Sequence, residues 1–164
     1  MHLSKNNLSS IINKSIQKPA DNLFALPEKV LQFGTGVLLR GLPDYFIDKA
    51  NRKGIFNGRI VVVKSTVSGD TNAFDTQDNL YTLCIRGIED GNKVEENIIC
   101  SSISRVLSAK NEWKQILQCA HNPALQIIIS NTTEAGLQLV KEDIHQWPPI
   151  SFPAKLLAFL FERY

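Results

Sequence analysis

At 164 residues, with 43% hydrophobic and 21% charged residues, the chain has the size and composition of a single globular domain able to bury a sizeable core. Its formal net charge of +2 is spread over isolated lysines and arginines, so no single-signed face is expected and neither nucleic acid nor an anionic membrane is implied as a partner. No apolar run approaches the roughly 20 residues of a membrane span, and the start Met1-His2-Leu3-Ser4-Lys5 carries no signal-peptide stretch, so a cytoplasmic location is expected.

In chain order, Leu8, Ile11, Ile12 and Ile16 are spaced as on a surface helix, within a segment 1–26 that reads as an extension packed on the domain. Pro27 precedes the first strand, Lys29 to Phe33, which runs into Gly34-Thr35-Gly36. Leu38, Leu42, Phe46 and Ala50 then recur at helical spacing, with Asp44, Asp48, Lys49 and Arg52 largely on the other side. This predicts a helix laying its apolar stripe on a sheet. Pro43 argues against an uninterrupted helix from Gly36 and moves the expected start of the regular helix towards Arg40. Gly54 ends the helix, Asn57-Gly58 turns the chain, and Arg59-Ile60-Val61-Val62-Val63 reads as a parallel strand covered on both faces.

Beyond this βαβ unit, Leu80 to Arg86 and Lys93 to Ser104 read as the two strands of an antiparallel hairpin turning at Glu89-Asp90-Gly91-Asn92. Glu112 to His121 is a predicted helix, Leu125 to Ser130 a buried strand, and Pro153 to Tyr164 an apolar helix with Ser151 near its cap. The fold class that follows is α/β, a Rossmann-like and mostly parallel sheet with an antiparallel hairpin inserted. Residues 27–164 form its binding domain. Cys84, Cys100 and Cys119 lie apart in apolar stretches and read as reduced core residues. His2, His121 and His145 show no metal-ligand spacing, so no metal is expected.

The segment Phe33-Gly34-Thr35-Gly36-Val37-Leu38-Leu39-Arg40 puts a glycine turn between a strand and a helix, as a diphosphate requires. Gly34 permits the tight turn, Gly36 lets backbone amides approach phosphate oxygens, and Arg40 is placed for a charge-assisted contact. The third glycine of the usual fingerprint is replaced by Leu39, and a glycine pair alone also occurs in plain strand-to-helix turns. Lys64-Ser65-Thr66 stands where an acidic residue usually holds the adenosine ribose. This tilts the site towards a 2′-phosphate, hence NADP, or towards a ribose held by hydroxyls and more distant groups, unless Lys64 is simply a solvated strand end. Asn131-Thr132-Thr133-Glu134 leaves the C-terminal end of a parallel strand, where such sheets bind ligands; the same residue types would also cap the next helix.

Three stretches together carry a resemblance. Leu31 through Arg40, then Asn57 through Val63 with Thr76-Gln77-Asp78-Asn79-Leu80-Tyr81-Thr82, then Ser130 through Gly136 with Ser151-Phe152-Pro153-Ala154-Lys155, are similar to the mannitol dehydrogenase family of long-chain polyol dehydrogenases. The resemblance implies an NAD-dependent enzyme moving hydride between NADH and the keto group of a ketose or keto sugar acid, which becomes the polyol or hydroxy acid. It also implies that the proton-transferring lysine belongs to a helical C-terminal domain with no counterpart here. The chain is therefore expected to be the N-terminal part of the enzyme, inactive alone and with no catalytic residue of its own; Lys64, His121, His145 and Lys155 are available donors to which no such role is assigned. Two other classes stay open: an adenosylmethionine-dependent methyltransferase, which also uses a glycine-rich βα turn, and a nucleotide-sensing or scaffold domain with no chemistry of its own.

Overall fold

The computed structural model describes residues 2–65, 71–138 and 140–164. A short strand β1 (Ile16–Gln17) is followed by β2 (Glu28–Phe33), helices α1 (Val37–Gly41) and α2 (Pro43–Arg52), and β3 (Arg59–Lys64). Then come α3 (Asn72–Asp75), β4 (Tyr81–Glu89), β5 (Asn92–Cys100), β6 (Ile103–Ser108), α4 (Trp113–Gln118), β7 (Ile127–Ser130) and α5 (Phe152–Arg163). A four-stranded parallel sheet has the order β6-β3-β2-β7, and a second sheet has the order β1-β5-β4, built on the antiparallel β4–β5 hairpin. Strand order reverses at β2, which pairs with β3 on one side and β7 on the other, so the loops after these strands meet at one edge.

The consecutive β-branched residues of β3 serve both faces of the parallel sheet. Val61 and Val63 join Leu31, Phe33 and Leu107 beneath Trp113 and Ile116 of α4 and Phe159 of α5. Ile60 and Val62 join Val30, Ile103 and Val106 on the opposite face, where Ile47 of α2 and Phe74 of α3 pack. Each such fully buried side chain contributes about 1.5–3 kcal/mol of transfer free energy, which alternating strands could supply on one face only.

The face that α2 turns inward is the reverse of the one its apolar spacing predicts. Leu38, Leu42 and Phe46 are about half exposed, while Asp44, Asp48 and Asn51 are buried. Each buried polar group is used to tie elements together. Asp48 Oδ1 accepts from Ser101 N at 2.7 Å and from its hydroxyl at 3.1 Å, while Oδ2 takes Arg52 Nε at 2.6 Å. Arg52 in turn donates to the carbonyls of Ile99 and Lys18, and Asn51 exchanges hydrogen bonds with Gly58. Hydrogen bonds to charged groups and the penalty for stranding them outweigh the burial of one more leucine.

Other expectations are corrected locally. The predicted helix over 8–16 is absent. A 3-10 turn at Lys5–Asn7 is followed by turns, and Asn13 Oδ1 accepts from the backbone and hydroxyl of Ser15, a local bond that competes with helix. Ile16 pairs with Asn97 instead, Leu8 packs with Leu80 and Ile99, and Ile12 is exposed. The returning hairpin strand ends at Cys100, not Ser104. Asp48 seizes Ser101, Ile60 N bonds the Ser102 carbonyl at 2.8 Å, and Ile103 opens a strand of the parallel sheet. The strand ending at Ser130 is an edge strand with Ile127 exposed, not a buried one. Cys84 is exposed, whereas Cys100 and Cys119 are buried. Burial pushes the Cys100 thiol up to about 12, and all three are free thiols.

Candidate nucleotide-binding site

The site begins where β2 ends. Gly34 adopts φ +118°, which side-chain-bearing residues rarely do, and its N–H bonds Val63 O at 2.9 Å. A Cβ there would lie 3.1 Å from Leu39 Cδ1. Gly34→Ala is therefore expected to destabilise the fold by about 2 kcal/mol through backbone strain, read from the denaturation midpoint. The helix starts at once, at Val37, and does not wait for Arg40. Leu42, at φ −117° and ψ −88°, breaks it, so Pro43 becomes the first residue of α2, where its missing N–H costs nothing. Arg40 turns back to the Thr35 carbonyl and lies over the Phe74 ring at 5.6 Å, while Tyr81 donates to the Arg40 carbonyl at 2.9 Å.

Beneath this turn lies a buried polar pair. Gln32 Nε2 donates to Gly34 O and to Asp44 Oδ2, both at 3.3 Å, and neither residue is accessible to solvent. Burial raises the Asp44 carboxyl to about 7, although the Gln32 bond and the Arg40 charge both oppose the rise. Gln32 Oε1 and Asp44 Oδ1 find no hydrogen-bond donor.

Above the sheet edge is a cavity of about 480 Å³. Phe33, Gly34 and Thr35 reach it from the end of β2, Ser65 from the end of β3, and Asn131, Thr132 and Thr133 from the end of β7. Its far wall is Gly136, Gln138, Val140, Ile150 and Ser151 with Phe152 and Lys155 of α5. Asp143 shapes that wall by accepting from the N–H groups of Val140, Ile150 and Ser151 at 3.1, 2.7 and 2.8 Å. Desolvation would raise its carboxyl, but hydrogen bonds from Ser151, Val140 and Ile150 win and bring it down to about 2. Ser151 caps α5 by accepting from Ala154 N. Lys155, only 6% exposed, bends back to the Ile150 carbonyl; burial lowers its pKa and the Asp143 charge works against that.

Of the residues singled out in the sequence, Phe33, Gly34, Thr35, Asn131, Thr132 and Thr133 line this cavity together. Gly36, Val37, Leu38, Arg40 and Glu134 do not line it, and neither does Lys64, which is buried and not a solvated strand end. Thr66 lies outside the described residues. Ser65, Gln138, Ser151 and Lys155 are polar lining groups that spacing alone did not select. Ser65 was marked only by its place after a buried strand, and Lys155 only by the stretch Ser151-Phe152-Pro153-Ala154-Lys155. Among the described residues no three metal-binding side chains converge, and no helix is long and apolar enough to cross a membrane.

A parallel sheet whose order reverses at a strand ending in a glycine turn, with a cavity spanning the reversal, defines a Rossmann-type nucleotide-binding domain. No family model matches the chain. It is 43% identical over 141 residues to the altronate oxidoreductase of Halalkalibacterium halodurans, covering 85% of this chain and 28% of that protein. It is 40% identical over 154 residues to that of Bacillus subtilis, covering 93% of this chain and 32% of the relative. The fold matches the mannitol 2-dehydrogenase of Pseudomonas fluorescens, solved with NAD and D-mannitol, at a TM-score of 0.81 and 23% identity, over 99% of this chain and 36% of that one. Over most of its length the sequence is thus similar to altronate oxidoreductases, and the fold is that of the mannitol 2-dehydrogenase, in line with the resemblance read from the sequence. The chain spans about a third of the length of the relatives it matches.

Proposed function

We propose that this chain is the NAD-binding part of a tagaturonate reductase, also called altronate oxidoreductase, working in the cytoplasm on a small sugar acid. Residues 27–164 form the binding domain and 1–26 an extension packed on it. In the reaction, NADH passes hydride to the keto carbon of D-tagaturonate, the developing alkoxide takes a proton, and D-altronate and NAD are left. The observation that carries this reading is the cavity at the strand reversal. It joins the glycine turn after β2 to the Asn131-Thr132-Thr133 hydroxyls and amide after β7. The residues present fit a dinucleotide. Gly34 holds a turn that a Cβ would strain, the space over Gly36 is open, and Ser65 Oγ is a buried hydroxyl with no partner.

The chemistry divides accordingly. The bound dinucleotide supplies the hydride, and this chain's residues bind and orient it, which is the larger part of what a hydride transfer asks of a protein. No proton donor is assigned within the chain. Thermal unfolding with NADH, NADPH and S-adenosylmethionine tests the reading. NADH at 100 times its Kd should stabilise the chain by about 2.7 kcal/mol. Stabilisation by S-adenosylmethionine alone would identify a methyltransferase-type site instead.

A further inference from the structure

We propose that Gln32 and Arg40 are positioning residues for the dinucleotide. By holding the carbonyls of Gly34 and Thr35 they turn the N–H groups of Thr35 and Gly36 outward as donors for the diphosphate, and neither side chain touches it. The proposal rests on the nucleotide-binding reading above and names the residues that shape its turn.

Every carbonyl of the turn is taken by the protein. Gln32 Nε2 donates to Gly34 O at 3.3 Å, the Arg40 guanidinium to Thr35 O, and the Arg40 backbone N–H to Gly36 O at 3.3 Å. The N–H of Gly34 is also used, by Val63 O. Those of Thr35 and Gly36 have no partner among the described residues. In a planar trans peptide the N–H of one residue points opposite to the carbonyl of the residue before it. A side chain that grips Gly34 O therefore aims Thr35 N–H away from itself, and one that grips Thr35 O does the same for Gly36 N–H. Gln32 is inaccessible and does not line the 480 Å³ cavity, whereas Gly34 and Thr35 do, so the first amide is directed out of the core from beneath. Arg40 does not line the cavity either. Two adjacent amides aimed away from their anchors need acceptors, and phosphate oxygens are suited to that place.

Both anchors are themselves held. Gln32 Nε2 is shared with Asp44 Oδ2 at 3.3 Å. The Arg40 guanidinium lies over the Phe74 ring at 5.6 Å, and Tyr81 donates to the Arg40 carbonyl at 2.9 Å. Asp78 and Asn79, both at positive φ, fold the chain back between α3 and β4 so that both rings reach Arg40, and Asn79 Nδ2 fixes this turn to Ser104 O at 3.2 Å. The stretch Thr76 to Thr82, which contributes nothing to the cavity wall, thus acts on the turn through Arg40.

The test is calorimetry with NADH, ADP and adenosine, together with amide NMR spectra of the isotope-labelled chain. NADH should move the Thr35 and Gly36 amide protons downfield, as new hydrogen bonds to an anion do. Gln32→Met and Arg40→Met should each weaken NADH and ADP by about tenfold and shrink those shifts, while adenosine, which has no diphosphate, binds as it does to the parent. Arg40→Lys, which can still donate to Thr35 O, should stay within about threefold of the parent. Arg40 is only half-buried, so its variants carry the test even where Gln32→Met fails to fold. Loss of affinity in Arg40→Met with both shifts intact would make Arg40 a direct phosphate ligand and overturn the proposal. Parental NADH affinity in the variants, or an equal loss for adenosine, would overturn it too, and in each case the nucleotide site would stand. Failure of NADH to bind the folded parent would overturn the nucleotide reading itself.

Discussion

Gly36→Val is expected to lower the affinity for NADH by about 100-fold or more while leaving the denaturation midpoint within about 1 kcal/mol of the parent. Gly36 sits at φ −65° and ψ 157°, a conformation open to any residue, and a Cβ there would meet nothing within 4 Å. The folded chain therefore has no use of its own for the missing side chain; a ligand brought against the turn does, because its oxygens would occupy the space the isopropyl group fills. Gly34 is the opposite case, with a positive φ and a neighbour at 3.1 Å, so its substitution acts on folding first. Comparing the two variants by calorimetry and urea unfolding separates a glycine kept for a ligand from one kept for the backbone. Undiminished NADH affinity in Gly36→Val would remove this turn from the site.

The two glycines also show how far the sequence could be read. β2, the glycine turn and β3 were legible because their signals are local: an apolar run, a break, a second run with no polar interruption. Helical periodicity likewise fixes which residues of α2 share a face. It does not say which face turns inward, and here the answer comes from Ser101, 53 positions away, whose backbone needs the Asp48 carboxylate. That same contact separates β6 from the hairpin, which is why 93–104 reads as one strand when taken in isolation. The cavity divides along the same line. The groups that follow β2 and β7 were found from their positions after strands. Lys155 carries no such mark, because a lysine on a helix is usually a surface charge. Its burial against Ile150 depends on a loop folded around Asp143.

Asp44 carries the other large expectation, and its sign follows from burial. Its carboxyl titrates near 7 in the folded chain against an ordinary value of 3.8. Between about pH 4 and pH 7 the unfolded chain has released this proton and the folded chain still holds it. The contribution of this group to stability should therefore be full below pH 4 and fall as pH rises, by up to about 4 kcal/mol at 1.36 kcal/mol per unit, before levelling off above 7. Asp44→Asn removes the titration and nothing else of comparable size. It keeps an oxygen for Gln32 Nε2 and carries no charge to be desolvated. Urea unfolding of both proteins from pH 4.5 to pH 8 should give curves that diverge, with the variant the more stable by several kcal/mol at the alkaline end. Parallel curves would show that Asp44 is ionised throughout. Because Gln32 also holds the carbonyl of Gly34, the ionised form places a negative charge directly under the turn meant for a diphosphate. The same titration should therefore tighten NADH binding as pH falls, and the asparagine variant should lose that dependence.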